Sequence, residues 1–199
     1  MIWGMILAAG ESKRMGKPKL LLPFGEKTII ETVIDSVIQS KLDDVLVVLG
    51  AHREKIEKKI KDFSIKIVVN PNFKNDMLSS VQCGFRALPE DVEASLVILG
   101  DQPEISSALI NKIVEVYKRS KKGIVLPVYR KNRGHPVLID MKYQGEIEDL
   151  NPDLGLRNLV YKHAEDILEV EVITPSILQD IDTIEDYNRE LKSKRKSHL

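Results

Sequence analysis

The segment Leu7-Ala8-Ala9-Gly10-Glu11-Ser12-Lys13-Arg14-Met15-Gly16-Lys17-Pro18-Lys19 joins small side chains, two glycines and four cations directly after an apolar run. This is the make-up of a phosphate cradle. Ala8, Ala9 and Gly10 let a ligand approach the backbone closely, exposed N–H groups can hold phosphate oxygens, and Arg14 and Lys19 add charge. By composition alone, a solvated basic turn after a buried strand fits the segment equally well. Spacing excludes two common phosphate loops. A Walker A loop has four residues between its glycines and Ser or Thr after its lysine, whereas five lie between Gly10 and Gly16 and Pro18 follows Lys17. The dinucleotide fingerprint needs Gly-x-Gly after the strand, and Ala9-Gly10-Glu11 lacks it.

Carboxylates are the second group able to do chemistry. Asp101 ends an apolar run and precedes Gln102-Pro103, which places it at a strand rim. Hard oxygens there suit magnesium, commonly held by one or two carboxylates plus phosphates, although Asp also starts turns before proline. Asp182 is the natural second ligand. The spacing Asp182-x-x-Glu185 equally fits a reciprocal cap at a helix start, and a carboxylate can do both. Asp180 is a weaker candidate on the same side of an extended segment. Asn70 follows a strand, and Ser79 and Ser80, at a helix start, are base or ribose contacts or N-caps. His135, between Gly134 and Pro136, is evenly a second-substrate contact or a hydrogen-bonding strut. Arg157 is a contact for an anionic substrate or a helix surface residue.

Short runs rich in Val, Ile and Leu must position these groups: Trp3 to Leu7, Val45 to Leu49, Ile65 to Val69, Leu96 to Leu99, Ile124 to Leu126, Val137 to Ile139 and Leu168 to Ile173. They read as strands buried on both faces. Helix-period segments, clearest in Ile29 to Ser40, Glu54 to Asp62 and Leu109 to Lys118, alternate with them. The alternation predicts an α/β fold with a mostly parallel sheet, whose ligands bind at the carboxyl ends of the strands, where Gly10, Asn70 and Asp101 fall. The interval from Arg130 to Asn158 is rich in loop signals and reads as an insertion covering one end of the sheet. A length of 199 residues with 43% hydrophobic side chains suits a single domain over residues 1–191, followed by a basic flexible tail at 192–199.

Thirty basic and thirty acidic side chains cancel, so no global field attracts nucleic acid or a membrane surface. The single cysteine, Cys83, cannot form an intramolecular disulfide and reads as a small buried thiol. The N-terminal apolar run is too short for a signal peptide, and no later run reaches the roughly 20 residues of a membrane helix. A cytoplasmic protein is expected.

Residue order adds what composition leaves open. The pattern Leu-Ala-Ala-Gly-x-Ser-x-Arg-Met-Gly-x-x-Lys at 7–19 resembles the signature of nucleotidyltransferases that carry a glycosyltransferase-A-like domain. With Leu20-Leu21-Leu22-Pro23 it resembles the molybdenum cofactor cytidylyltransferase family. Similar segments follow in order: Asn70-Pro71 with Met77-Leu78-Ser79-Ser80, Gly100-Asp101-Gln102-Pro103, Arg133-Gly134-His135-Pro136-Val137, Gly155-Leu156-Arg157, and Asp180-Ile181-Asp182-Thr183 with Glu185-Asp186-Tyr187. The resemblance spans nearly the whole chain. Asp76 departs from it, since family members commonly have glycine before the methionine.

The resemblance implies a three-layer sandwich, Rossmann-like, with a mostly parallel central sheet flanked by helices as in nucleotide-diphospho-sugar transferases. It implies transfer of CMP from CTP to the phosphate of molybdopterin with release of pyrophosphate, Mg2+ on Asp101 and Asp182, and possible delivery to a recipient molybdoenzyme. Arg14, Lys19 and Asp101 would be catalytic. Leu7, Ala8, Ala9, Gly10, Arg14, Gly16, Lys19, Asn70, Ser79, Ser80, Asp101 and His135 would bind the substrates. Guanylyltransferases acting on the same cofactor usually show Leu-Ala-Gly-Gly, so Ala9 favours cytosine. The alternatives are GMP transfer, cytidylyl or uridylyl transfer to a sugar or alditol phosphate, and a non-catalytic cofactor carrier.

Overall fold

The computed structural model describes residues 1–196, with side chains to residue 194. Its organisation follows from β1 (Ile2–Ala8), buried along its whole length. Successive side chains of a strand point to opposite faces. Ile2, Ile6 and Ala8 enter one hydrophobic cluster, while Trp3, Met5 and Leu7 enter another. A strand that feeds two cores needs helices on both sides, which gives three layers.

After β1 come a small antiparallel hairpin, β2 (Pro23–Phe24) with β3 (Lys27–Thr28), then α1 (Ile29–Ile38), β4 (Asp44–Leu49), α2 (Arg53–Ile60) and β5 (Lys66–Val69). Next are α3 (Met77–Ala87), β6 (Ala94–Leu99), α4 (Ser107–Arg119) and β7 (Ile124–Tyr129). The chain continues through β8 (Asn132–Arg133), β9 (Val137–Asp140), α5 (Gln144–Glu148), α6 (Leu156–Lys162), β10 (Ile167–Glu171) and α7 (Ile184–Lys196). Among the described residues these build one eight-stranded sheet in the order β10-β7-β9-β6-β1-β4-β5, with β8 beside β7. Residues of α1, α2 and α4 pack in the first cluster; those of α3, α5 and α6 pack in the second. Local signals agree with these boundaries. Thr28 and Glu31 form a reciprocal capping box at the start of α1, and Ser106 accepts the Leu109 N–H at the start of α4.

Three expectations change. The strand expected at Val137 to Ile139 forms as β9, but the interval from Arg130 to Asn158 is not solely a cover over the sheet's end, because β9 lies inside the sheet, antiparallel to β6 and β7. Its apolar triplet Val137-Leu138-Ile139 satisfies both faces at once, with Leu138 in the first cluster and the other two in the second. β5 is not buried on both faces: Lys66 and Ile67 are exposed, since β5 is an edge strand with β4 as its one sheet neighbour. The expected tail at 192–199 begins inside a helix, as α7 runs to Lys196; residues 197–199 lie outside the described residues. No helix among the described residues is long and apolar enough to cross a membrane.

The central position of β9 is testable. Leu138 is fully buried between Leu96 and Val125 in register. Truncation to Ala in such a core costs roughly 2–5 kcal/mol. Leu138→Ala should lower unfolding stability by that amount in urea titration, whereas a cover strand would lose well under 1 kcal/mol.

Candidate active site

β1 pairs in parallel with β4 on one side and β6 on the other, with Leu7 level with both Val48 and Leu99. The carboxyl ends of these strands therefore share one edge, where Gly10, Gly50 and Asp101 begin their loops. The close approach is enforced at Gly100, whose N–H donates to the Leu7 carbonyl; a Cβ there would sit 2.8 Å from that oxygen.

Beyond β1 the loop is held by its own backbone. Ser12 adopts a left-handed conformation, residues 13–15 make a single tight turn, and Gly16 at φ 64° closes it with its N–H on the Lys13 carbonyl. The Ser12 hydroxyl oxygen accepts the Lys19 N–H at 3.1 Å, which fixes where the Lys19 side chain departs. The Lys19 ammonium then donates to Asp101 Oδ2 at 2.5 Å and to Asp182 Oδ1 at 2.8 Å. Arg14 donates to the other Asp182 oxygen at 2.7 Å. The Ile181 N–H donates to the Asp101 carbonyl, tying residues 180–182 against the end of β6.

Burial and charge act in opposite directions on this trio. Burial works against the Lys19 ammonium, but Asp101 and then Asp182 outweigh it and hold its pKa above the usual lysine value. Burial dominates at Asp101 and raises its pKa despite Lys19, with the negative charges of Asp180 and Asp182 adding to the rise. Asp182 is more open; burial raises it, but Lys19 and Arg14 together bring its pKa below the ordinary carboxylate value.

The loop and the trio line a cavity of about 420 Å³. Of the sequence candidates, Leu7, Ala8, Ala9, Gly10, Arg14, Lys19, Ser80, Asp101, Asp180 and Asp182 face it. Gly16 shapes the loop from outside that lining. Asn70 is buried and donates to the hydroxyls of both Ser79 and Ser80 at 3.0 Å, while Ser79 donates to backbone carbonyls of Asn72 and Asp76. Asn70 and Ser79 thus brace the start of α3. His135 does not line the cavity: its backbone N–H donates to the Ile177 carbonyl, and burial lowers its imidazole pKa. Its Nδ1 is buried without a hydrogen-bond partner among the described residues. Arg157 is exposed and does not line the cavity.

Several contributors lack a chemical signature of their own in the sequence. Gln102 is fully buried and donates to Asp180 Oδ1 at 2.6 Å, orienting that carboxylate; its place beside Asp101 in Gly-Asp-Gln-Pro was the available signal. Leu20, Phe73, Met77 and Leu99 also line the cavity, and as apolar residues they are indistinguishable by type from core positions.

Asp101 and Asp182 present oxygens to one cation, so this donor set fits a hard divalent ion as well as an ammonium. Among the described residues no group of three or more His, Cys, Asp or Glu forms a fuller cage. Magnesium commonly needs no more, because phosphates and water complete its shell.

Comparison with known proteins adds the lineage. The model of the MobA-like NTP transferase domain matches residues 4–167. The chain belongs to that family. It is a nucleotidyltransferase with a nucleoside triphosphate as one substrate. It is 28% identical over 183 residues to the molybdenum cofactor cytidylyltransferase of Escherichia coli (strain K12), covering 92% of each chain. It is 27% identical over 197 residues to nicotine blue oxidoreductase of Paenarthrobacter nicotinovorans, covering 94% of this chain and 95% of that one. Among solved structures it superposes on a Mycobacterium tuberculosis H37Rv protein in complex with manganese with a TM-score of 0.80 at 27% identity, covering 96% of this chain and 98% of the other.

The ion pair of this MobA-like transferase has a direct readout. In side-chain NMR titration of the nucleotide-free protein, Lys19 should titrate above the ordinary lysine value. In Asp101→Asn its pKa should fall, because burial remains while the largest opposing charge is gone. Equal Lys19 titration in the two proteins would show that the contact does not form.

Proposed function

We propose that this transferase moves CMP from CTP to the phosphate of molybdopterin, releasing pyrophosphate and forming the cytosine dinucleotide of the cofactor. The observation that carries the reading is the Lys19 ammonium shared by Asp101 and Asp182 beside the loop Leu7 to Gly10, on one cavity. That arrangement supplies what nucleotidyl transfer demands. A phosphate monoester has a second pKa of about 6, so near neutral pH the acceptor is already an anionic nucleophile and needs no histidine or cysteine base. The acceptor oxygen forms a bond to the α-phosphorus while the bond from that phosphorus to the β-phosphate bridge oxygen breaks, and pyrophosphate departs with the electron pair. The protein must align the reacting atoms and offset charge on the leaving group.

Arg14, Lys19 and the backbone at Ala8 to Gly10 bind and orient the triphosphate in this reading. Asp101 and Asp182 would hold Mg2+, which supplies positive charge to the phosphate oxygens. The manganese in the mycobacterial neighbour and the name of the Escherichia coli relative support the metal and the acceptor, respectively. The expected cytoplasmic location accords with this role.

The similarity to nicotine blue oxidoreductase favours a second reading, electron transfer on the same scaffold. The loop without Gly-x-Gly and the cation-carboxylate trio weigh against it.

Pyrophosphate release measured with CTP, GTP and UTP plus molybdopterin, with an NAD(P)H oxidation control, separates these chemistries. CTP should give the fastest release. Lys19→Ala and Asp101→Ala should each lose about 100-fold or more in turnover, matching the roughly 3–4 kcal/mol lost with one such transition-state contact, while circular dichroism stays unchanged. Near-normal turnover in either variant would remove that residue from catalysis. Faster release with GTP or a sugar phosphate would reassign the substrate, and tight cofactor binding without release would indicate a carrier.

A further inference from the structure

Besides the loop, the cations and the carboxylates, the cavity is lined by Phe73, Asp76, Met77 and Ser80, which phosphate chemistry does not use. Their placement is fixed from behind. Ser80 is buried and its hydroxyl accepts the Asn70 amide, so the first turn of α3 is pinned to the end of β5. Phe73 packs so close to Gly50 that a Cβ there would lie 2.5 Å from the Phe73 Cβ. Met77 presents half of its surface and Phe73 is partly open, and together they give the cavity aromatic and thioether surface suited to a flat ring.

Asp76 has a divided role. Its Oδ1 accepts the Ser79 N–H at 2.7 Å and caps α3. No hydrogen bond or ion pair among the described residues reaches Oδ2. A wall with apolar surface and one unengaged anionic acceptor suits a base bearing an exocyclic amine. We propose that Asp76 selects the base of the nucleotide: Oδ2 accepts the amine at position 4 of cytosine, where uracil would present a carbonyl oxygen. Since Oδ1 is held by the backbone, the carboxylate cannot take two donors from guanine in the bidentate manner that an unengaged carboxylate allows.

This assignment rests on the nucleotidyl-transfer reading, and binding of α,β-methylene CTP and UTP by titration calorimetry with Mg2+ separates the two. The wild-type protein should bind the CTP analogue at least 10-fold tighter, within the roughly 1–3 kcal/mol that a specific base contact discriminates. Asp76→Asn keeps the cap, because Asn is an equally good N-cap, and replaces the second oxygen by an N–H donor. It should shift the CTP-to-UTP ratio at least 10-fold toward UTP. Asp76→Ser keeps the cap without a second polar atom and should bring the ratio near one. Equal melting temperatures would confirm intact caps, and a variant whose melting temperature falls is judged from the other. A ratio unchanged in both variants overturns the role of Asp76 alone. Failure of the wild-type protein to bind either analogue overturns the nucleotidyl-transfer reading and this role with it.

Discussion

The site depends on one buried charge relation, the Lys19 ammonium shared between Asp101 and Asp182. An ammonium withdrawn from water is costly unless anions meet it closely, and a carboxylate left behind on its removal would be costlier still. The trio therefore fixes three otherwise independent pieces relative to one another: the loop after β1, the end of β6 and the segment at 180–182. Its uneven burial also gives the two carboxylates different tendencies. Asp101, the deeper one, holds a proton more readily than an ordinary aspartate, and Asp182 less readily. A bound cation would act most strongly on the charge state of the deeper one.

The scaffold around the trio is generic. Relatives of comparable identity are named as a cytidylyltransferase and an oxidoreductase, so the three-layer architecture does not by itself fix the reaction. The side chains proposed for the chemistry sit at the strand ends, with a second row orienting them. Gln102 aims Asp180, Ser12 sets the departure of Lys19, and Asn70 braces the serines of α3.

Much of this was legible in the sequence for physical reasons. Apolar runs buried on two faces marked β1 and β4 nearly to their ends, and β6 and β7 in part. Lys19, Asp101 and Asp182 were readable as a group because ordered motifs carried them. β9 was legible as a strand in Val137-Leu138-Ile139, but nothing local says that it will run antiparallel between two others. The edge position of β5 is likewise a property of its neighbours. At Asn70 and Ser79 the types were right for ligand contact, yet their hydrogen bonds turn inward. A single sequence does not distinguish a polar side chain that meets a substrate from one that braces its neighbour.

The hydrogen bond from Arg14 to Asp182 spans 168 positions in the chain. Every strand of the sheet is made before the second carboxylate of the trio emerges. A nascent chain that has formed β1 to β10 thus owns the loop after β1 and pairs Lys19 with Asp101, but lacks Asp182, which meets Arg14 and is the second partner of Lys19. The order of the chain thus makes the trio a late contact: it closes only when the segment at 180–182 returns to a loop laid down directly after the first strand.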